Sequence, residues 1–460
     1  MAELAYPRDF IWGAATSCFQ IEGAADSRGD SIWDEFCRKS GAISDGTDGR
    51  VACEHVKRFS QDVAMMRELG LQAYRFSISW PRVLPEGRGA VDEAGLDFYS
   101  RLVDCLLDAG ITPYVTLYHW DLPLALHREG GWPHRATAQA FVDYAEIVAR
   151  RLGDRVAHWV THNEPRVASI IGYHVGAHAP GERDAGTALA AAHHMLLSHG
   201  WAVPAIRSHV ADAQVGITLD LAPIHAASDD PEVTRARRLH DGLFNRWFLD
   251  PVFGRGYPED MQDFFRERQV VPASGLPQVE PGDEAAIGAP IDFLGINYYR
   301  RNIVRSVRFP EPEEDEHAWE QPGLRDEITA MGWESYPEGL WETLLRVHLE
   351  YQPNALYVTE NGASYDTGPA EDGSIPDKRR LSYLRGHLQQ AHRAIRDGVP
   401  LRGYFVWSLM DNFEWQFGYS QRFGIVWVDY ETQERRLKDS ALFYRQVIAE
   451  NAVPEGQSGK

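Results

Sequence analysis

Two glutamates stand where the chain could perform acid–base chemistry on a polar substrate. Glu164 precedes Pro165, Glu360 precedes Asn361 and Gly362, and each follows a short run that contains β-branched residues. In a pair of carboxyl groups, one can protonate a leaving oxygen while the other attacks a carbon or activates water. A single glutamate in such a place could equally stabilise the start of a helix. The prediction therefore depends on the residues that accompany the pair.

Polar and aromatic residues also occur at the ends of the other apolar runs. They are Gln20, Glu22, Arg75, Trp80, His119, Trp120, Asn163, Asn297, Tyr298, Tyr299, Trp407, Asp411, Glu414 and Trp415. Amides bind hydroxyl groups, and tryptophan offers a large apolar face on which a pyranose ring can stack. His119 or Trp407 alone would be an ordinary core residue. Their joint occurrence favours a glycosidase site, which needs neither a cofactor nor a metal.

The elements that would position these residues repeat along the chain. Helical stretches end in Gly70, Gly110, Gly153 and Gly398, because glycine accepts the left-handed conformation at a helix end. Apolar runs follow, and eight strand candidates begin near Phe10, Ala73, Tyr114, Val156, Val215, Phe293, Leu356 and Tyr404. Short strands alternating with helices are typical of parallel strands joined by right-handed crossovers.

Eight such units favour an α/β fold of the closed (β/α)8 (TIM) barrel type. We expect a single domain over residues 1–460, with an ordered core from about 6 to 450 and a short frayed C-terminal tail. Active sites of such barrels lie at the C-terminal ends of the strands, so the polar residues would converge on one mouth. Four inserts are expected as loops at that face: Arg38–Glu54, Val271–Ala289, Phe309–Arg325 and Tyr365–Asp377.

Composition excludes several other classes of protein. The 46 Lys and Arg against 67 Asp and Glu give a formal charge of −21, which repels nucleic acids and anionic membranes. The four cysteines form no C-x-x-C pair, and no secretory signal begins the chain, so we expect reduced thiols and a cytoplasmic protein. There is no H-E-x-x-H, G-x-S-x-G or G-x-G-x-x-G motif at a fitting position, which argues against a metal, a serine nucleophile and a dinucleotide.

Three runs of sequence resemble the signatures of one enzyme family. Residues 10–23 (FIWGAATSCFQIEG) are similar to the N-terminal signature of family 1 glycoside hydrolases, the β-glucosidase family. Residues 161–165 (THNEP) resemble the motif that contains the family's acid/base, and residues 357–362 (YVTENG) resemble the motif that contains its nucleophile. The resemblance extends from about Tyr6 to Glu450.

The resemblance implies a role for each matching residue. Glu164 would be the acid/base and Glu360 the nucleophile, with Arg75, Asn297 and Tyr299 around the nucleophile. The sugar would be held by Gln20, His119, Trp120, Asn163, Trp407, Glu414 and Trp415, and Trp333 would lie on the aglycone side. Asn163 would bind the 2-hydroxyl, Gln20 and Glu414 the distal hydroxyls, and Trp407 would form the stacking floor.

The implied pair makes an electrostatic prediction. Arg75 and the hydroxyl of Tyr299 should lower the pKa of Glu360, whereas a nearby anion and a drier setting should raise that of Glu164. The one departure within the motifs is His162, where the family usually has phenylalanine. Strand alternation should turn His162 away from Glu164, so we expect a modest effect on packing or on the pH profile.

The expected reaction is retaining hydrolysis of terminal non-reducing β-D-glucosyl residues, with β-galactosidase and β-fucosidase side activity and transglycosylation left open. The partners would be small β-glucosides or cello-oligosaccharides, as in cellulose degradation, and self-association into a homo-oligomer stays open. A 6-phospho-β-glycosidase is one alternative, although Glu414 would repel the phosphate. A catalytically silent sugar-binding barrel is another, although such proteins typically lose one of the two carboxylates.

Overall fold

A closed barrel of eight parallel strands forms the centre of the molecule, as the sequence predicts. The computed structural model describes residues 4–306 and 327–454. The barrel strands, named here β1 to β8 in chain order, are Ile11–Ala15, Ala73–Ser77, Thr112–Tyr118, His158–Asn163, Gln214–Asp220, Phe293–Asn297, Leu356–Asn361 and Leu401–Trp407. Each strand pairs with its neighbours in sequence, and β8 closes the barrel against β1. The predicted strand starts lie within three residues of these bounds.

Helices surround the barrel and connect its strands. The longer ones are His55–Glu68, Glu93–Asp108, Arg135–Leu152, Ala185–His209, Pro231–Asp241, Glu259–Glu267, Glu338–Tyr351, Lys378–Arg396 and Asp439–Glu450. Shorter α-helices are Cys18–Ile21, Ile32–Cys37, Trp80–Val83, Leu124–Arg128, Trp247–Val252 and Asp283–Ile287. The π-helices Val167–Val175 and Gly242–Arg246 and the 3₁₀ turns Ala25–Ser27 and Trp415–Phe417 complete the set among the described residues. None of these helices is long and apolar enough to cross a membrane.

In the part of the chain that the structure describes, three small strand pairs lie outside the barrel. They are Leu4–Ala5 with Ala452–Val453, Ile224–Ala226 with Asn302–Val304, and Val426–Val428 with Arg435–Leu437. Of the four predicted inserts, Arg38–Glu54 joins the helices Ile32–Cys37 and His55–Glu68, and Tyr365–Asp377 lies between β7 and the helix Lys378–Arg396. Val271–Ala289 precedes β6 and contains the helix Asp283–Ile287, so it is not entirely a loop. Phe309–Arg325 lies outside the described residues, as does the predicted tail after Val453 apart from its first residue, Pro454.

Glycine ends the helices as predicted, but for two different reasons. Gly70, Gly110 and Gly398 have φ of 74°, 76° and 94°, the left-handed conformation expected at a helix end. Gly153 instead keeps a right-handed φ of −69°. A Cβ there would lie 2.4 Å from the Val210 side chain, so close packing and not left-handed geometry requires this glycine.

Another close approach joins the ends of β7 and β8. A Cβ on Gly362 would lie 1.6 Å from the carbonyl oxygen of Trp407, which is a backbone atom and cannot rotate away. Gly362 therefore lets the chain leaving the Glu360 strand pass directly over the end of the Trp407 strand. The residue contributes to the site by allowing this approach.

We expect Gly362→Ala to lower the free energy of unfolding by at least about 2 kcal/mol, because an extra methyl group must displace backbone. Gly368→Ala is the matched control, since a Cβ at Gly368 meets nothing within 4 Å. Urea unfolding of the two variants beside the parent measures the effect. Equal midpoints for both variants would contradict the packing argument.

Candidate active site

The carboxylate of Glu360 lies in a socket of hydrogen-bond donors at the end of β7. Arg75 Nη1 donates to Glu360 Oε1 at 2.7 Å, and the Tyr299 hydroxyl donates to Oε2 at 2.5 Å. Arg75 is fully buried inside the barrel, and Thr116 Oγ1 and Asn163 Oδ1 accept its other N–H groups at 3.1 and 2.6 Å. These contacts fix the guanidinium, so the ionised form of Glu360 meets a preorganised partner.

Glu164 lies at the same mouth and connects to Glu360 through shared neighbours. Asn297 Nδ2 donates to Glu164 Oε1 at 2.7 Å and to Asn163 Oδ1 at 3.1 Å. Asn163 in turn accepts from Arg75, which holds Glu360. Both glutamates are buried, at 5% and 3% exposure. The structure thus brings together the two predicted carboxyl groups, which lie far apart in the sequence.

Irregular strand ends turn neighbouring side chains toward the mouth. The pairing of β4 with β5 shifts register between Val160 and Asn163, and β7 shifts against β6 between Val358 and Glu360. Such irregularities re-aim side chains that strict alternation would place on opposite faces. Glu164 also adopts a left-handed φ of 48°. Its position therefore depends on local backbone geometry that is uncommon for a residue with a Cβ.

Gln20 and Glu414 form a polar edge of the mouth. Gln20 is fully buried, and its Nε2 donates to the carbonyl of Phe413 at 2.8 Å and to Glu414 Oε2 at 3.3 Å. Its Oε1 accepts from Ser17 Oγ at 2.6 Å. The amide therefore has a fixed orientation beside the carboxyl of Glu414.

A cluster of packed aromatic rings lies beside this edge. The ring of His119 lies nearly parallel to those of Trp407 and Trp415, at 20° to each and with centroids 5.8 and 6.0 Å apart. The Trp120 and Trp415 centroids are 4.5 Å apart, and the indole N–H of Trp120 donates to the carbonyl of Asn163 at 3.0 Å. This aromatic cluster is thus hydrogen-bonded to the strand end that precedes Glu164.

The hydrogen bonds assign a tautomer to His119. Asn163 Oδ1 already accepts from Arg75 and Asn297, so its Nδ2 is the atom that faces His119 Nε2 at 3.0 Å. Burial, and secondarily Arg75, hold the pKa of His119 well below its usual range, so the ring is neutral. The Nε2 atom must then accept, and Nδ1 carries the proton. That Nδ1 is buried without a protein partner among the described residues, so it could donate to a bound hydroxyl.

The two glutamates differ in their electrostatic surroundings. Burial raises the pKa of Glu164 well above its usual range, and the charges of Glu360 and Asp220 raise it further. Burial also raises the pKa of Glu360, although Arg75 and Tyr299 oppose the rise. The prediction of a net lowered pKa for Glu360 is therefore wrong in sign, because desolvation outweighs the two donors. Of the two glutamates, only Glu360 has an ion-pair partner, Arg75 at 2.7 Å. When the two glutamates together carry one proton, that proton therefore resides on Glu164.

The barrel and its mouth match known enzymes over nearly the whole chain. A family model described as glycosyl hydrolase family 1 matches residues 2–453. The chain belongs to glycosyl hydrolase family 1. The beta-glucosidase A of Acetivibrio thermocellus is 44% identical over 454 residues, which cover 98% of this chain and 100% of the relative. The predicted family and the predicted class of enzyme, a glycoside hydrolase, are confirmed.

Solved structures of the family agree with the fold. The family 1 b-glucosidase from Thermotoga maritima matches with a TM-score of 0.92 and 45% identity, covering 99% of this chain and 100% of that one. A beta-glucosidase from the same organism in complex with glucoimidazole matches with a TM-score of 0.91 and 46% identity, covering 98% and 100%. Within the described residues of the family 1 chain, no three His, Cys, Asp or Glu side chains cluster closely enough to hold a metal ion.

Trp333 lies on the Glu360 side of this family 1 site. Its ring centroid is 5.6 Å from that of Tyr299 and 6.1 Å from that of Phe423, and it is partly exposed. Trp407 belongs to the same apolar cluster as Phe423. Trp333 and Trp407 therefore border one continuous apolar surface, of which Trp333 is the more accessible part.

His162, the departure from the family motif, lies on the outer side of β4. Its ring stacks on Phe141 with centroids 4.4 Å apart, and its Nε2 lies 2.8 Å from Ser198 Oγ. The ring thus points away from Glu164, as expected, but the reason given from the sequence is wrong. Residues two positions apart share a face in a regular strand, and it is the left-handed φ of Glu164 that separates them. Burial keeps the pKa of His162 well below its usual range.

Sequence reasoning missed some small polar residues at the site. Asn412 Oδ1 accepts from Gln20 at 3.0 Å, and Thr116 and Thr359 hold Arg75 and Asn297 by hydrogen bonds of 3.1 and 2.8 Å. Asn412 stands directly between the singled-out Asp411 and Glu414 positions, so the pattern offered a signal for it. Threonines within a strand carry no such signal, because β-branched residues are common in strands for packing alone.

The carboxyl of Glu414 makes stability depend on pH. Burial, together with the charge of Glu360, raises the pKa of Glu414 to about 8. Between the ordinary pKa of a glutamate and a pH of about 8, the folded state then binds more protons than the unfolded state. Stability therefore falls as the pH rises through this window. We expect Glu414→Gln to reduce that fall, by up to about 1.4 kcal/mol per pH unit. Urea unfolding at pH 5, 6, 7 and 8 checks this, and parallel slopes for parent and variant would contradict it.

Proposed function

We propose that this protein is a retaining β-glucosidase that removes terminal non-reducing β-D-glucosyl residues through a covalent glycosyl-enzyme intermediate. The observation that carries the proposal is the unequal surroundings of the two linked glutamates. Glu360 faces the guanidinium of Arg75 at 2.7 Å, whereas Glu164 faces only the amide of Asn297 at that range. One carboxyl group is thus prepared as an anion and the other as an acid. The names of the relatives support a glucoside as substrate.

In the first step, Glu360 attacks the anomeric carbon as Glu164 protonates the departing glycosidic oxygen. The bond from that carbon to the aglycone oxygen breaks, and an ester bond to Glu360 forms. The ester is neutral, so the charge that raises the pKa of Glu164 disappears. Glu164, which the first step leaves ionised, then takes a proton from water, which attacks the same carbon and releases Glu360. Two inversions at one carbon give net retention.

The remaining residues hold the glucosyl ring. Gln20 and Glu414 take the distal hydroxyls, Trp407 stacks on the ring, and Asn163 binds the 2-hydroxyl, a contact that strengthens in the transition state. The proton on His119 Nδ1, which lacks a protein acceptor, is available to a further hydroxyl. The accessible ring of Trp333 borders the aglycone. β-Galactosides and β-fucosides are expected as side substrates, and a second sugar can replace water in the second step.

Hydrolysis of a 4-nitrophenyl β-D-glucoside, followed by proton NMR of the first sugar released, tests the proposal. We expect turnover and initial release of the β-anomer before mutarotation. Initial release of the α-anomer would show that the configuration at the anomeric carbon is inverted, which would contradict the retaining mechanism. Turnover confined to a 6-phosphoglucoside would favour the phospho-glycosidase alternative, and binding of glucose without any turnover would favour a silent barrel.

A further inference from the structure

A buried ion network lies directly behind the loop that carries Glu414. Lys438 is fully buried and its ammonium donates to Asp411 Oδ1 at 2.7 Å. Asp411 is also fully buried, and it accepts from Arg422 at 2.8 Å and from the N–H of Gly424 at 3.0 Å. Three donors from two segments of the chain, residues 422–424 and residue 438, therefore converge on one carboxylate. Asp411 follows β8 and stands three positions before Glu414.

The residues after Asp411 connect this network to the polar edge formed by Gln20 and Glu414. Asn412 Oδ1 accepts from Gln20 at 3.0 Å, and its Nδ2 donates to Ser408 Oγ at 3.0 Å. The carbonyl of the next residue, Phe413, also accepts from Gln20. Any displacement of Asp411 would therefore shift both Gln20 and Glu414, which touch each other.

Stability alone is a weak reason for an ion pair in this place. Burying an ammonium group is costly, and a well-packed apolar residue is often as stabilising as a buried pair. Burial and the nearby Arg380, which is itself paired with Asp377 at 2.6 Å, lower the pKa of Lys438 to about 7. Keeping the ammonium charge of Lys438 buried therefore costs free energy. The role left for this charge is to fix the orientation of the Asp411 carboxylate.

We propose that Lys438 is a positioning residue that, through Asp411, holds the segment from 411 to 415 in register with Gln20 and so sets selectivity for the distal hydroxyls of the sugar. This inference rests on the proposed glucosidase function. Lys438 touches no substrate in this scheme. Its removal leaves Glu164, Glu360 and their partners in place, because these belong to β4, β7 and the neighbouring strand ends.

Two substrates with the same aglycone separate positioning from general damage. A β-D-xyloside lacks the hydroxymethyl group that carries the 6-hydroxyl of a β-D-glucoside. Its kcat/KM should therefore fall less when Gln20 and Glu414 are misplaced. For Lys438→Met, which keeps the length of the side chain, we expect the ratio of kcat/KM for glucoside over xyloside to fall about tenfold. Most of the fall should come from a higher KM for the glucoside. Asp411→Asn, which keeps the shape of the carboxylate, is expected to lower the ratio similarly.

Leu152→Ala is the control for destabilisation. Leu152 is fully buried at the end of the helix that leads into β4, on the far side of the barrel from β8, and its loss should lower the melting temperature without moving the ratio. An unchanged ratio in Lys438→Met, or equal losses for both substrates, would overturn the inference. So would failure of both network variants to fold, since the pair would then serve stability. A parent protein that cleaves neither glycoside would instead refute the proposed function.

Discussion

Glu360→Ala is expected to lose more than about 10⁴-fold in kcat, because no other group can form the covalent intermediate. The socket of Arg75 and Tyr299 would remain but would contain no nucleophile. Azide added to an activated β-glucoside should restore turnover, since a small anion fits the vacated space beside the guanidinium. It would attack directly at the anomeric carbon, so the product should be the α-glucosyl azide. NMR of the isolated azide gives its configuration.

A second buried carboxylate serves as the control for this variant. Glu22 is 4% exposed, Arg82 donates to it at 2.8 Å and Tyr99 at 2.7 Å. Glu22→Ala should lower stability, because it leaves a buried guanidinium unpaired, and azide should not restore its activity. A β-glucosyl azide from Glu360→Ala, or rescue of Glu22→Ala by azide, would remove Glu360 from the nucleophile's role.

The barrel itself could be predicted because its signals are local. Strand candidates such as Ala73 and Leu356 begin where the structure begins them, since apolar runs after helix ends are visible in a short window of sequence. The convergence of strand ends then follows from the barrel. Arg75 shows the limit of this reasoning, because it lies mid-strand in β2 and reaches the mouth only through the length of its side chain.

The finer geometry of the site could not be predicted because it depends on contacts between distant parts of the chain. The left-handed φ of Glu164 is held by a hydrogen bond from its N–H to the carbonyl of Thr218 on the neighbouring strand, at 2.9 Å. The net sign of the pKa change at Glu360 likewise depends on how completely the barrel buries it. A motif names the donors around a carboxylate, whereas desolvation depends on every residue that excludes water.

The second large effect is expected at the acid/base. Glu164→Ala should lose about 10²–10⁴-fold in rate on alkyl glucosides, whose leaving groups need a proton, and much less on 2,4-dinitrophenyl glucoside in the first step. The parent's kcat/KM requires protonated Glu164, so it should fall as the pH rises through the raised pKa of that group. The variant should lack this alkaline limb, because the group that titrates there is gone.

Azide separates this variant from Glu360→Ala by the configuration of the product. With Glu360 still present, the glycosyl ester forms first, and azide occupying the space of the lost Glu164 side chain attacks it from the opposite face. The product should then be the β-glucosyl azide, the reverse of that expected from Glu360→Ala. Equal rate losses across good and poor leaving groups would refute general-acid catalysis by Glu164. The same anomer from both variants would show that the two glutamates do not act on opposite faces of one anomeric carbon.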